Sequence, residues 1–245
     1  MTDSIMITGM SQAGSTLCFN LLRALYTASD ATIHIYDPPN IYGVRDSIHQ
    51  STTTVVLTKQ HDLPFSAELS AAKPGCHTFK ASHNIKVIRV QRDLRDAVAS
   101  RLRKENRDRD LSVIKEYCDL NILWHRVWAH VADYDWVYEK YKEKPVVVMR
   151  ELQAALGLSH SDETLGVIIH HSENLKHFYG DKEKCPLIGL ADLSATDFHI
   201  TTKMKKEQMT NNGIIGSYRD FFSEEEITFM NSTYGDWLKK YGYMK

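Results

Sequence analysis

The first thirty residues constrain the fold most, because they predict a strand, a glycine-containing loop and a helix in immediate succession. Residues 4–8 (SIMIT) are a short apolar run with β-branched side chains, which is typical of a buried strand. Residues 17–28 place leucines at helical spacing on one face. The loop between them, residues 9–16 (GMSQAGST), precedes a helix whose first N–H groups and dipole favour an anion. The segment therefore predicts either a phosphate-binding turn or a tight turn without a ligand.

The spacing of this loop nearly matches the P-loop of nucleotide triphosphatases, G-x-x-x-x-G-K-[ST]. Gly9 and Gly14 are correctly placed, but Ser15 stands where the motif requires lysine. That lysine reaches the β- and γ-phosphates of the nucleotide. Its replacement by serine argues against ordinary hydrolysis of ATP or GTP.

Length and charge exclude several classes of protein. The 245 residues can bury one sizeable core, so we predict a single domain over residues 1–245. A formal net charge of −1 gives no general attraction to nucleic acid or to a membrane surface, and we expect neither as a partner. No apolar run is long enough to span a bilayer, and the first residues do not have the pattern of a signal peptide.

Cysteines and histidines give no sign of a metal site. The four cysteines are widely spaced, without a C-x-x-C pair, which is typical of reduced thiols in the cytoplasm. The 12 histidines include no H-E-x-x-H motif, and the adjacent His170 and His171 point to different sides of a helix. We therefore expect a cytoplasmic protein without a bound metal.

Later segments alternate between strand and helix patterns. Four apolar segments predict strands: residues 32–36, 53–58, 85–90 and 145–149. The longest helical pattern covers residues 111–141, and a final helix is predicted to begin at Ser223, where Glu226 completes a capping box. Such alternation is typical of an α/β fold.

Polar residues follow two of the predicted strands, where an open parallel sheet binds its ligands. Lys59 and His61 follow residues 53–58; Lys59 offers a fixed charge, and His61 takes up a proton near neutral pH. Arg92 follows residues 85–90, where a guanidinium can bind a phosphate with two hydrogen bonds. Taken alone, the Lys59–His61 segment favours a solvated loop over a ligand site.

With these pieces in order, the chain resembles the sulfotransferases that use 3′-phosphoadenosine-5′-phosphosulfate (PAPS). Residues 10–16 resemble the family's 5′-phosphosulfate loop, and residues 59–64 resemble its K-x-H segment. Residues 92–100 have the R-x7-S spacing of its 3′-phosphate site, and residues 213–222 resemble its G-x-x-G tail. The resemblance implies a three-layer, P-loop-like α/β fold with a central, mostly parallel sheet flanked by helices. It implies PAPS as cofactor, adenosine-3′,5′-bisphosphate (PAP) as product, and no metal.

The resemblance also implies roles for individual residues in binding PAPS. The 5′-phosphosulfate would lie on the loop residues Gln12, Ala13, Gly14, Ser15 and Thr16. The 3′-phosphate would lie on Arg92, Ser100, Asn212 and Gly213. A further segment, Arg150-Glu151-Leu152, is similar to the family's Y-E-D/E-L, which puts Arg150 where a tyrosine often contacts adenine.

The same resemblance implies a catalytic set. His61 would act as the general base, while Lys59 and Gln12 would stabilise charge on the transferring group. Two departures from the family pattern remove positive charge. Gln12 replaces the loop's lysine or arginine, and Asn211-Asn212 replace an Arg-Lys pair, for which Lys203, Lys205 or Lys206 are candidate substitutes.

We therefore expect an enzyme that moves a sulfuryl group to a hydroxyl or amine of a small molecule, with a polar secondary metabolite as the most specific form of that expectation. The segments expected to line the acceptor pocket are residues 36–45, 62–80 and 180–200, which mix aromatic and acidic side chains. Two alternatives remain open at this point, a P-loop-like kinase of small molecules and a PAP-binding homologue without turnover. A homodimer is also left open.

Overall fold

Five parallel strands form the sheet of the described structure, in the spatial order β2-β3-β1-β4-β5. Their bounds are β1 (Asp3–Gly9), β2 (Ile33–Tyr36), β3 (Val55–Lys59), β4 (Ile85–Gln91) and β5 (Tyr134–Val137). The computed structural model describes residues 3–29, 31, 33–36, 55–59, 85–174 and 213–245. Every neighbouring pair of these strands runs parallel.

Helices pack against the sheet in two groups. Their bounds are α1 (Ser15–Thr27), α2 (Leu94–Glu105), α3 (Leu111–Trp128), α4 (Tyr138–Glu143), α5 (Pro145–Leu156), α6 (Asp162–Glu173) and α7 (Glu224–Lys240). Helices α1, α5 and α6 form one group, and α2, α3 and α7 form the other. The connection from β1 leads away from β4, and the connection from β4 leads towards β5, so right-handed crossovers place the two groups on opposite faces. The predicted three-layer α/β fold is thereby confirmed.

Strand register brings the segments that carry the predicted site residues to the edge of the sheet formed by the carboxyl ends of its strands. Lys59 lies opposite Ile7, Gly9 lies opposite Val90, and Gln91 lies opposite Val137. Because the strands are parallel, their carboxyl ends meet at this edge. Four segments are therefore neighbours: the loop after β1, the end of β3, the residues after β4 and the start of α4. No helix in the described part of the chain is long and apolar enough to cross a membrane.

The prediction of a strand over residues 145–149 is wrong, because this segment begins helix α5. The run of valines favours a strand by propensity. Pro145, however, occupies the first turn, where its missing N–H and fixed φ suit a helix. Val148, Leu152 and Leu156 then lie on one buried face at helical spacing, so tertiary packing decides the outcome.

The helix predicted over residues 111–141 is correct only as far as Trp128. The chain turns after Trp128 and forms the edge strand β5, which contains only four residues. Asp135 of this strand accepts two hydrogen bonds from the buried Arg89 of β4, at 2.7 and 2.6 Å. A charge pair between adjacent strands cannot be recognised from helical periodicity. The sequence pattern therefore predicts the strand beside β4 at residues 145–149 and not at Tyr134–Val137.

Candidate functional site

The loop after β1 takes its shape from contacts with β4 and α3. The Met10 N–H donates to the Val90 carbonyl at 3.1 Å, and the Ser11 N–H donates to Oδ1 of the fully buried Asn121 at 2.7 Å. Gln12 and Gly14 both adopt positive φ values, of 59° and 81°. Two left-handed residues within three positions turn the backbone sharply between β1 and α1.

The first turn of α1 presents donors without a competing acid. Gly14 is the N-cap and has no side chain to satisfy the amides, and the first turn contains no acidic residue. The first intrahelical bond at this end runs from the Cys18 N–H to the Gly14 carbonyl at 2.9 Å. The amides of Thr16 and Leu17 therefore lie at the positive end of a 13-residue helix dipole and have no acceptor within the helix.

Lys59 brings a cation to this helix terminus. Its Nζ donates to Thr16 Oγ1 at 2.8 Å, from the last residue of β3. The loop itself carries no basic residue, since Gln12 and Ser15 stand at the positions where related motifs have lysine or arginine. Two residues assigned separately from the sequence, Lys59 and Thr16, are thus in direct contact. His61 and Asn212 lie outside the described residues.

Arg92 lies immediately after β4 and contacts both predicted phosphate-binding segments. Its Nη1 approaches the Gln12 carbonyl at 3.4 Å, and its Nη2 donates to the Ile214 carbonyl at 3.1 Å. Its guanidinium lies 4.7 Å from the centre of the Tyr138 ring. Arg92 Nε is buried and has no hydrogen-bond partner among the residues that the structure describes. A buried donor without a partner is a site where an anionic ligand can bind.

A buried carboxylate holds the tail segment, residues 213–222, against the start of α2. Asp96 is fully buried. Its Oδ2 accepts the Gly216 N–H at 2.6 Å, and its Oδ1 accepts the Tyr218 N–H at 3.0 Å and the Ser217 hydroxyl at 3.2 Å. Arg92 Nη2 lies 3.8 Å from the same carboxylate. These contacts fix the tail segment beside Arg92.

Tyr138 contacts both the loop after β1 and the tail segment. Its hydroxyl donates to the Gly213 carbonyl at 2.8 Å, and burial raises its pKa, which keeps the phenol protonated as a donor. Its ring packs under Gly14, where an added Cβ would lie 2.6 Å from Tyr138 Cδ2 and 2.9 Å from the Trp136 ring. Tyr138 lies inside the helix predicted over residues 111–141 and is therefore not among the predicted site residues.

The segment similar to Y-E-D/E-L therefore needs reassignment. Arg150, which the resemblance to Y-E-D/E-L puts at the adenine, lies exposed in the middle of α5 and pairs with Asp162. The residues that directly follow the last strand are Tyr138 and Glu139, a Tyr-Glu pair. The usable sequence signal was that pair, read together with a short preceding strand.

The remaining predicted residues lie in or near the same edge. Ala13 is buried in the loop after β1, Ser15 is buried at the first position of α1, and Gly213 adopts a φ of 59° at the start of the tail segment. Ser100 is partly buried on α2, two turns beyond Arg92 and one turn beyond Asp96. Within the described ranges, no three His, Cys, Asp or Glu side chains are grouped to hold a metal ion.

The tight packing under Gly14 gives a test that separates backbone strain from steric conflict. Gly14→Ala and Gly157→Ala both place an alanine at positive φ, at 81° and 75°, but an added Cβ at Gly157 meets nothing within 4 Å. We expect Gly157→Ala to lower the free energy of unfolding by about 1–2 kcal/mol. Gly14→Ala should lower it by a further ~1–3 kcal/mol, because Tyr138 and Trp136 must move.

Urea-induced unfolding of the wild type and the two variants measures these differences. Equal losses in the two variants would contradict the described packing of the loop against Tyr138 and Trp136.

Comparison with known proteins supports the fold and indicates a family. A family model described as the sulfotransferase domain matches residues 2–242. The mouse sulfotransferase SULT7A1 complexed with PAP superposes with a TM-score of 0.64 at 12% identity, covering 96% of this chain and 84% of that one. Retinol dehydratase in complex with androsterone and inactive cofactor PAP gives 0.60 at 17% identity, covering 96% and 80%. No curated protein sequence matches the chain.

Proposed function

The chain belongs to the sulfotransferase family of enzymes, and we propose that it transfers the sulfuryl group of PAPS to a hydroxyl or amine of a small molecule. The observation that carries this proposal is the convergence of Lys59, Arg92, the loop after β1 and the tail segment at one edge of the sheet. When bound, PAPS supplies an activated sulfuryl group and PAP as the leaving group. Both solved relatives contain PAP, which supports the same choice of nucleotide here.

The residues of the first anion site fit the 5′ end of such a nucleotide. The amides of the first turn of α1 and the Thr16 hydroxyl are hydrogen-bond donors, and the Lys59 ammonium lies 2.8 Å from that hydroxyl. Lys59 would stabilise the negative charge that develops at this end during transfer. Gln12 would contribute through its side-chain amide, in place of the cation that the family pattern has in this loop.

The second anion site fits the 3′-phosphate. Arg92 offers a buried Nε without a partner in the described structure, and its Nη1 and Nη2 contact neutral backbone carbonyls, which a charged phosphate would replace as the stronger acceptor. Ser100 and the Gly213 backbone would complete this site. We propose Tyr138, in place of Arg150, for the role of the tyrosine that contacts adenine, because Tyr138 directly follows β5 and donates to the Gly213 carbonyl.

The proposed general base is His61, by its place in the K-x-H segment. It would take the proton from the acceptor O–H or N–H as the acceptor atom bonds to sulfur and the bond from sulfur to the PAP oxygen breaks. A small polar acceptor is the proposed substrate class, based on the composition of residues 36–45, 62–80 and 180–200.

Calorimetric titration with PAP tests the nucleotide site. We expect Arg92→Ala to weaken PAP binding about 10- to 100-fold, because a phosphate loses charge-assisted hydrogen bonds. Arg150→Ala is the matched control, because Arg150 is exposed to solvent and paired with Asp162. The affinity of this variant for PAP should equal that of the wild type. Binding of ATP without binding of PAP would favour a kinase, and an equal loss in Arg150→Ala would restore Arg150 to the site.

Transfer of labelled sulfate from PAPS to a panel of small acceptors tests the catalytic assignment. His61→Ala should lose about 10²- to 10⁴-fold of the turnover if His61 is the general base, while its affinity for PAP stays unchanged. Near-normal turnover in this variant would remove His61 from the mechanism.

A further inference from the structure

Tyr243 lies beyond the end of α7 and turns back towards the carboxyl edge of the sheet. Gly242 adopts a φ of 78°, which reverses the chain after the helix. The Tyr243 N–H donates to the Leu238 carbonyl at 2.8 Å. Its ring stacks on Trp237 with an interplanar angle of 15°. These contacts fix the direction of the phenol.

The hydroxyl of Tyr243 hydrogen-bonds to Gln91 and Glu139, which are the chain neighbours of Arg92 and Tyr138. It accepts a hydrogen bond from Gln91 Nε2 at 3.0 Å, and Gln91 directly precedes Arg92. It lies 3.3 Å from Glu139 Oε2, to which it donates, and Glu139 directly follows Tyr138. One phenol thus connects the end of β4 with the residues that follow β5.

Further hydrogen bonds close a ring around Arg92. Glu139 Oε1 accepts the Asp93 N–H at 2.8 Å. Arg95 donates to the Asp93 carboxylate at 3.0 and 2.7 Å, and its Nη2 also donates to the Tyr243 carbonyl at 2.8 Å. Both neighbours of Arg92 in the chain are therefore tied to Tyr243, one through its hydroxyl and the other through Glu139 and Arg95.

The donor directions in this ring are set by its members. His125 is buried, and burial with the nearby charge of Arg89 lowers its pKa to about 3, so its ring is neutral. Because Gln91 Nε2 donates to Tyr243, Gln91 Oε1 is the acceptor for His125 Nε2 at 2.9 Å. The Tyr243 proton then points to Glu139. Loss of that hydroxyl would leave Gln91 Nε2 and Glu139 Oε2 without this partner.

We propose that Tyr243 is a positioning residue that sets the backbone of Arg92 for the 3′-phosphate. The inference rests on the proposed function, in which Arg92 binds that group. The guanidinium of Arg92 contacts the Gln12 and Ile214 carbonyls at 3.4 and 3.1 Å, and it lies 3.8 Å from Asp96 and 4.7 Å from the centre of the Tyr138 ring. The bonds of the ring hold the two chain neighbours of Arg92, through the Gln91 side chain on one side and the Asp93 N–H on the other. Tyr243 therefore controls discrimination between nucleotides with and without a 3′-phosphate.

Titration with two nucleotides separates this role from general stability. PAP and adenosine 5′-monophosphate share the adenosine and the 5′-phosphate, and only PAP has a 3′-phosphate. We expect Tyr243→Phe to keep the ring on Trp237 but to weaken PAP binding about 3- to 10-fold, with unchanged affinity for the monophosphate. The ratio of the two dissociation constants should fall accordingly, whereas a purely structural role would lower the melting temperature and leave the ratio unchanged.

Tyr241→Phe is the matched control. It removes a hydroxyl from a neighbouring ring that also contacts Trp237, and that hydroxyl has no hydrogen-bond partner within the described ranges. Its ratio should equal that of the wild type. Glu139→Gln breaks the same ring from its other side and carries the test if Tyr243→Phe does not fold. The double variant should show a loss smaller than the sum of the two single losses.

The outcomes distinguish the inference from the proposed function. A wild type that prefers PAP, together with Tyr243→Phe and Glu139→Gln variants that keep the full preference, overturns the role of Tyr243 alone. A wild type that does not prefer PAP to the monophosphate overturns the proposed nucleotide site, and the inference with it.

Discussion

The site depends on one buried carboxylate, that of Asp96. A carboxylate removed from water is costly unless hydrogen bonds and an opposite charge compensate it. Here the compensation comes from two backbone amides and a hydroxyl of the tail segment, with Arg92 at 3.8 Å. The need to satisfy this charge therefore brings a segment 120 positions away along the chain to the start of α2. Arg92 and Gly213, which belong to different parts of the sequence, become parts of one surface as a result.

Much of this arrangement follows from local sequence patterns. Several elements are determined by neighbours within a few positions along the chain. They are the strand, loop and helix at residues 3–27, the strand before Arg92, the helix cap at Asp93 and the capping box at Ser223. The two errors arose where packing overrides local preference. Valines at 146–148 suit a strand but lie in a helix that packs one face, and a four-residue edge strand depends on a charge pair with Arg89.

The contacts that make the site specific could not be predicted from local patterns. The pairing of Asp96 with the tail amides, the packing of Tyr138 under Gly14 and the ring through Tyr243 all join residues that are distant in the chain. Lys59 illustrates the same limit. Its place at the end of a strand was predictable. Its bond to Thr16, by which Lys59 brings a positive charge to a loop that has none, depends on the parallel register of β1 and β3.

Hydrogen–deuterium exchange with and without PAP tests most directly whether the nucleotide lies at this edge. We expect slower exchange in residues 10–17 and 213–218 when PAP is present, because the loop and the tail segment hold its two ends. Residues 162–173 of α6 should not change. PAP binding that leaves the exchange of both the loop and the tail segment unaltered would contradict the account.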